Sequence, residues 1–160
     1  MAQSDRVDIL LVEDSPYDEK LTLRVLRKNH LPSLIHVVRD GAEALEFIFG
    51  TGEYAGRNAA DAPKVILLDI KLPKVDGLEV LRRVREDPRT HTQPIVLLTS
   101  SAEQRDVDAA YQHHANSYIV KPVDFEQFGD AVRELGLYWL LLNRPPTIGS
   151  GSQFVRGPNG

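Results

Sequence analysis

The sequence predicts an α/β domain built on a doubly wound, five-stranded parallel sheet. Three observations carry this. Short runs of leucine and β-branched residues alternate with segments of helical period, five times along the chain. The strand-like runs are nearly continuous in apolar residues rather than alternating with polar ones, as in strands covered on both faces. Polar residues then gather where four of those runs stop: Glu13-Asp14, Asp69, Thr99-Ser100 and Lys121-Pro122.

The first strand is read at Val7–Val12 (VDILLV). Ser15-Pro16 follows, a capping serine and a proline at the first helical position, where no N–H is needed. That helix carries Leu21, Leu23, Val25 and Leu26 and is expected to end near Asn29, before Leu31-Pro32. Leu34–Val38 (LIHVV) is the second strand. Asp40 can cap the next helix, GAEALEFIF, which stops at Gly50 and Gly52. Glu53–Pro63 is rich in alanine and glycine and reads as a surface insertion. The third strand is Val65–Leu68. A helix over Leu78–Arg85 carries apolar Leu78, Val80, Leu81 and Val84 and closes at Asp87-Pro88. Ile95–Leu98, a largely polar helix over Ala102–His113, and a short strand at Tyr118–Val120 follow. The last helix is expected to run from Phe125 to about Leu142. The domain is therefore assigned to 1–142, and the Pro-, Gly- and Ser-rich stretch 143–160 to a disordered tail.

Composition narrows the function. Of the 160 residues, 42% are hydrophobic and 26% charged, as in ordinary globular domains. A net charge of −4 argues against non-specific binding to nucleic acid or anionic membranes. There is no cysteine, which removes disulfides, thiol catalysis and thiolate metal sites. Acids appear too early for a signal peptide, and Leu137–Leu142 is far too short to span a bilayer. A cytoplasmic protein is expected.

In doubly wound sheets, ligands sit at the carboxyl ends of the strands. Here that edge would gather Glu13, Asp14, Asp69, Thr99 and Lys121. Any one of them alone reads as a turn, a helix cap or a surface charge. Together, at the same end of one sheet, they are hard to explain that way. Crowded carboxylates repel one another unless a cation joins them, and a hard divalent ion such as Mg2+ removes the conflict. A lysine and a hydroxyl beside them suit a phosphoryl group, and an aspartate can itself accept one as an acyl phosphate.

The motifs LLVEDSP, VILLDIKLPKVDG, IVLLTSS and YIVKP, in this order, resemble the receiver domain of two-component response regulators, a flavodoxin-like (βα)5 fold. The resemblance covers roughly Val7–Leu142. The spacing agrees: 30 residues separate Asp69 from Thr99, and 22 separate Thr99 from Lys121. The longer gap from Asp14 to Asp69 is accounted for mostly by the Glu53–Pro63 insertion. The resemblance implies that Asp69 is the phosphoacceptor. Asp14 would bind Mg2+ directly, Glu13 largely through water, and the backbone carbonyl of Lys71 would add a further ligand. Thr99 and Lys121 would contact the phosphoryl oxygens, Tyr118 would be the aromatic switch, and Lys121-Pro122 would be a cis bond. Phosphorylation would draw Thr99 toward the new oxygens and open space for Tyr118. The Lys71 side chain reads as a solvated surface lysine, with tuning of phosphoaspartate hydrolysis as its alternative.

No stretch after Leu142 is long enough to form a DNA-reading motif, so output is expected through protein binding, phosphorelay or dimerisation. None of the five histidines resembles a phosphodonor motif, which places the donor histidine on a separate sensor kinase. His113-His114 reads as a helix terminus. The apolar end of the last helix, with VVRDGAEALEF and GEYA, is similar to stand-alone regulators paired with bacterial phytochromes. That similarity implies a phytochrome as kinase and a homodimer through the fourth predicted helix, the fifth strand and the last helix, at Tyr111, Tyr138 and Trp139. The protein would be a signalling phosphoacceptor rather than an enzyme. A degenerate receiver acting as a binding module is the alternative. An aspartate-nucleophile phosphatase fits less well, since Lys71 stands where such enzymes carry a second acid. A nucleotide-binding domain is disfavoured by the absence of a Gly-rich loop after the first strand.

Overall fold

The computed structural model describes residues 6–28, 34–100, 108, 115–137 and 141. In chain order they form β1 (Ile9–Val12), α1 (Pro16–Lys28), β2 (Ile35–Val38), α2 (Gly41–Phe49), a 3-10 turn (Gly52–Tyr54), β3 (Val65–Asp69), α3 (Gly77–Glu86), β4 (Ile95–Thr99), β5 (Ser117–Val120) and α4 (Phe125–Glu134). The strands make one parallel sheet in the order β2-β1-β3-β4-β5. From β1 the chain moves one way to β2 and the other way to β3. The switch point therefore lies between β1 and β3, where a crevice opens at the strands' carboxyl ends.

The apolar strands are buried because both faces are covered. Side chains alternate with a period of two along a strand. Leu10, Val12, Ile66, Leu68, Ile95 and Leu97 point to one side, against Phe47 and Ile48 of α2 and Val80, Leu81 and Val84 of α3. Ile9, Leu11, Val65, Leu67, Val96 and Leu98 point to the other, against Leu26 of α1 and Phe128, Ala131 and Val132 of α4. Each fully buried Leu or Ile contributes about 1.5–3 kcal/mol of transfer free energy. Removing one to Ala costs about 2–5 kcal/mol, because packed neighbours do not close the gap. β2, at the edge, is only half covered.

Helix starts follow the expected chemistry. Ser15 Oγ accepts from Asp18 N at 3.2 Å. Asp40 Oδ1 accepts from Glu43 N at 2.7 Å, and α2 stops at Gly50. Asp76 and Asp124 cap α3 and α4 in the same way.

Beyond shifts of a single residue at the ends of β2, α3 and β5, the structure differs from the sequence reading as follows. The first strand begins at Ile9 rather than Val7, since Asp8 is held by Lys64 at 2.7 Å and by Leu34 N at 3.0 Å. β3 and β4 run one residue further, so Asp69 and Thr99 belong to the sheet. The insertion after Gly52 is not wholly superficial, because Tyr54 packs against the α2-side core. The last helix does not run unbroken to Leu142. It closes at Leu135, where Gly136 takes a left-handed φ of 74°. Gly136 N then donates to Arg133 O at 3.0 Å and Leu137 N to Val132 O at 2.8 Å. This pair of hydrogen bonds satisfies two of the last carbonyls, and the left-handed φ favours glycine there. Leu141 is buried in the α4-side core and Leu137 packs against it.

Helix 102–113 (save Asp108, which is helical), the His113-His114 pair and the segment 143–160 lie outside the described residues.

Candidate functional site

The carboxyl edge at the β1/β3 switch point holds the acids. β1 delivers Glu13 as it leaves the sheet, with Glu13 N donating to Val38 O at 3.0 Å. Glu13 is fully buried, Asp14 beside it is exposed, and Asp69 is buried at the last position of β3. One carboxylate oxygen from each of Glu13, Asp14 and Asp69 lies within 4.8 Å of the other two. Burial, then the hydrogen bond and charge of Asp69, push the Glu13 carboxyl up to about 8. The donor set is all hard oxygen, excess negative charge and one solvent-facing carboxylate, which fits a divalent cation such as Mg2+ or Mn2+.

One cation is built into the cluster. Lys121 follows β5 directly, precedes a cis Lys121-Pro122 bond, and is anchored by Lys121 N donating to Thr99 O at 2.7 Å. Its Nζ donates to Asp69 Oδ2 at 2.9 Å, Asp18 Oδ2 at 3.0 Å and Glu13 Oε1 at 3.2 Å. Burial alone would lower its basicity. The bonds to Asp69 and Asp18 and the charges of Asp69 and Glu13 outweigh burial and hold the ammonium above its ordinary range. The other oxygen of Asp69, Oδ1, accepts from Lys71 N at 3.1 Å. The Asp69 carboxylate is thus held between a backbone N–H and an ammonium.

Thr99 stands at the end of β4, buried, one register step from the Leu98 that pairs with Asp69. Tyr118 lies on β5, opposite Leu97, and packs partly buried against the α2-side core. Lys71 is exposed and shares with Asp14, Ile70, Leu72, Pro73, Asp76 and Leu78 a surface cavity of about 520 Å³ beside the acids. Gly77 lets α3 approach this loop: a Cβ there would lie 2.1 Å from Asp69 O. The structure brings together Glu13, Asp14, Asp69 and Lys121, and sets Thr99 on the strand beside them. Tyr111, Tyr138 and Trp139 lie outside the described residues.

Asp18 was not anticipated. Ser15-x-x-Asp18 has the form of a capping box, which assigns the acid to the helix backbone. A second unforeseen group lies on β2. His36 Nε2 lies 2.9 Å from the Tyr54 hydroxyl, which donates to Glu43 Oε2 at 2.8 Å. Phe47 stacks on His36 at 4.8 Å between ring centres, with the Arg57 guanidinium 3.8 Å above the Phe47 ring. These residues come from β2, α2 and the insertion, and no local pattern links them.

With five strands in this order and acids, hydroxyl and lysine at one edge, the fold and site define a receiver. Residues 9–133 match the family described as the response regulator receiver domain, and the chain belongs to that family. It is 40% identical over 138 residues to the probable methanogenesis regulatory protein FilR2 of Methanothrix harundinacea, spanning 86% of each chain. The structure of the bacteriophytochrome response regulator AtBRR is 48% identical, covers 88% of this chain and 100% of its own, and superposes with a TM-score of 0.78. The Mn2+-bound form of Rcp1, a response regulator of Synechocystis sp., is 37% identical, with 82% and 93% of the chains covered and a TM-score of 0.67. The chain is thus similar to response regulators of two-component systems, including ones named for bacterial phytochromes. Among the described residues no helix is long and apolar enough to cross a membrane.

Proposed function

We propose that this protein is a single-domain response regulator that accepts a phosphoryl group on Asp69 from a sensor histidine kinase, itself a bacteriophytochrome. An Asp69 carboxylate oxygen attacks phosphorus, the P–N bond of the kinase phosphohistidine breaks, and the histidine nitrogen leaves with the electron pair. Asp14, Asp69 and the Lys71 carbonyl would hold Mg2+, with Glu13 acting largely through water, and the ion would neutralise charge on the phosphoryl oxygens. Lys121 supplies a fixed positive charge to those oxygens, and Thr99 a hydroxyl. Signal output then runs through protein contact or phosphorelay, with Tyr118 following Thr99 between two packings. The chemistry of the chain is confined to taking up and losing its own phosphoryl group.

The observation that carries this reading is the Asp69 carboxylate, buried at the end of β3 with Lys121 Nζ 2.9 Å away and two further acids beside it. Receiver-like relatives bearing the names of phytochrome regulators support the choice of kinase. The domain extent of 1–142 with 143–160 as a tail belongs to the same reading, as does a homodimer through Tyr111, Tyr138 and Trp139. Sedimentation at tens of micromolar protein checks the dimer, and a monomer there excludes it.

The test of the acceptor is intact mass after incubation with acetyl phosphate and Mg2+. Wild type is expected to gain one phosphoryl group, Asp69→Asn none, and chelator should abolish the gain. Equal gain by both proteins would refute Asp69 as acceptor.

A further inference from the structure

Asp18 lies on the first turn of α1, and its position is explained neither by helix capping nor by the acidic cluster around the metal ligands. In a capping box the acid at the third helical position reaches back to the N–H of the capping residue. Here Ser15 N donates to Glu13 Oε2 at 3.3 Å. The acid so released, Asp18, turns to Lys121 at 3.0 Å. An ammonium has three N–H donors. Those of Lys121 are directed to three carboxylates, Glu13, Asp18 and Asp69.

A phosphoryl oxygen arriving at Asp69 therefore meets a lysine with no donor to spare, and one partner must yield. The three differ in what yielding costs. The Glu13 side chain is 0% exposed and that of Asp69 6%, so neither can turn to water if it gives up its bond to Lys121. The Asp18 side chain is 29% exposed and can be rehydrated when released. We propose that Asp18 is a positioning residue that competes with the incoming phosphoryl group for Lys121, slows phosphoryl uptake, and is the partner displaced once the group is bound. Its release would uncouple the start of α1 from β5 in the phosphorylated protein. This inference rests on Asp69 being the acceptor.

The test follows phosphoryl uptake from acetyl phosphate with saturating Mg2+, by intact mass against time, in wild type, Asp18→Asn, Asp18→Glu and Glu19→Gln. Glu19, on the same helix as Asp18, pairs with Arg39 after β2 at 2.8 Å, so its variant removes the same charge without touching Lys121. Asp18→Asn is expected to take up phosphate about two- to five-fold faster, the upper part of the range for losing one partly exposed ion pair. Asp18→Glu should stay near wild type, and Glu19→Gln should match it. In a Lys121→Ala background, Asp18→Asn should add nothing, which a purely structural role would not produce. Circular dichroism of each variant confirms the fold. An unchanged rate in Asp18→Asn, an equal gain in Glu19→Gln, or a full gain without Lys121 overturns the proposal. If wild type gains no phosphate, the acceptor reading falls and this one with it. If wild type is phosphorylated and Asp18→Asn keeps pace with it, only the role of Asp18 falls.

Discussion

The Nζ of Lys121 lies 2.9 Å from Oδ2 of Asp69, across 52 residues of sequence. The two sit on strands that are not neighbours, β3 and the end of β5, with β4 between them. A long side chain anchored by Lys121 N on Thr99 O spans that gap. The same bond makes Lys121 a competitor of any metal for Asp69 and Glu13 and, under the proposed function, would make it a partner of the phosphoryl group.

These two roles separate on substitution. Lys121→Ala is expected to bind Mg2+ at least as tightly as wild type, because a rival cation is gone. Phosphoryl uptake should fall about a hundred-fold, as when one fixed transition-state contact is removed. Calorimetric Mg2+ titration and the uptake rate check the two halves. Loss of Mg2+ binding would mean that Lys121 orders the acids rather than competing for them.

Mg2+ should stabilise the fold through the acids. At about ten times its dissociation constant it should add about 1.4 kcal/mol, by binding the folded state alone. Asp14→Asn should lose most of this gain while keeping its metal-free stability, since Asp14 is exposed and leaves no buried group behind. Denaturant melts with and without Mg2+ decide it; an undiminished gain in Asp14→Asn would remove Asp14 from the ligand set.

Gly77 is expected to tolerate no side chain. A Cβ would stand 2.1 Å from Asp69 O and 2.8 Å from Ile70 Cα, both backbone atoms that cannot rotate away. Gly77→Ala should cost about 1–3 kcal/mol, as overpacked cores do, and should slow phosphoryl uptake by shifting Asp69. A variant as stable as wild type would show that the β3–α3 loop yields freely.

His36 should make the fold acid-sensitive. Burial lowers its basicity, Glu43 partly restores it and Arg57 lowers it further, leaving it below the ordinary value of 6.5. The Tyr54 proton goes to Glu43, so Nε2 carries the hydrogen toward Tyr54, and acid must add a charge at Nδ1 beside the Phe47 ring. With the folded value depressed, its contribution is present above the ordinary value and lost as pH falls through the folded one. Wild type should therefore lose more stability than His36→Gln between about pH 8 and about pH 5. Parallel curves for the two proteins would exclude His36 as the cause.

The residues by themselves determined the five strands, the parallel sheet and four of the site groups. Strands such as VILLD and IVLLT are apolar on both faces and permit no half-exposed arrangement, and Glu13, Asp14, Asp69 and Lys121 each sit where such a run stops. The caps Ser15 and Asp40 were legible for the same reason, since a capping bond is local. What tertiary structure decided is where several groups compete for one partner. Gly136 ends α4 within a run of helix-compatible residues because Leu137 and Leu141 must fold back onto the core. Asp18 fits a local capping pattern perfectly well, yet Glu13 takes the Ser15 N–H and leaves it to Lys121. His36, Tyr54 and Glu43 meet only because the insertion packs back on β2. A side chain's local options can be read along the chain, but which option it takes depends on partners that only the fold brings within reach, as it brings Lys121 to Asp18 across 103 residues.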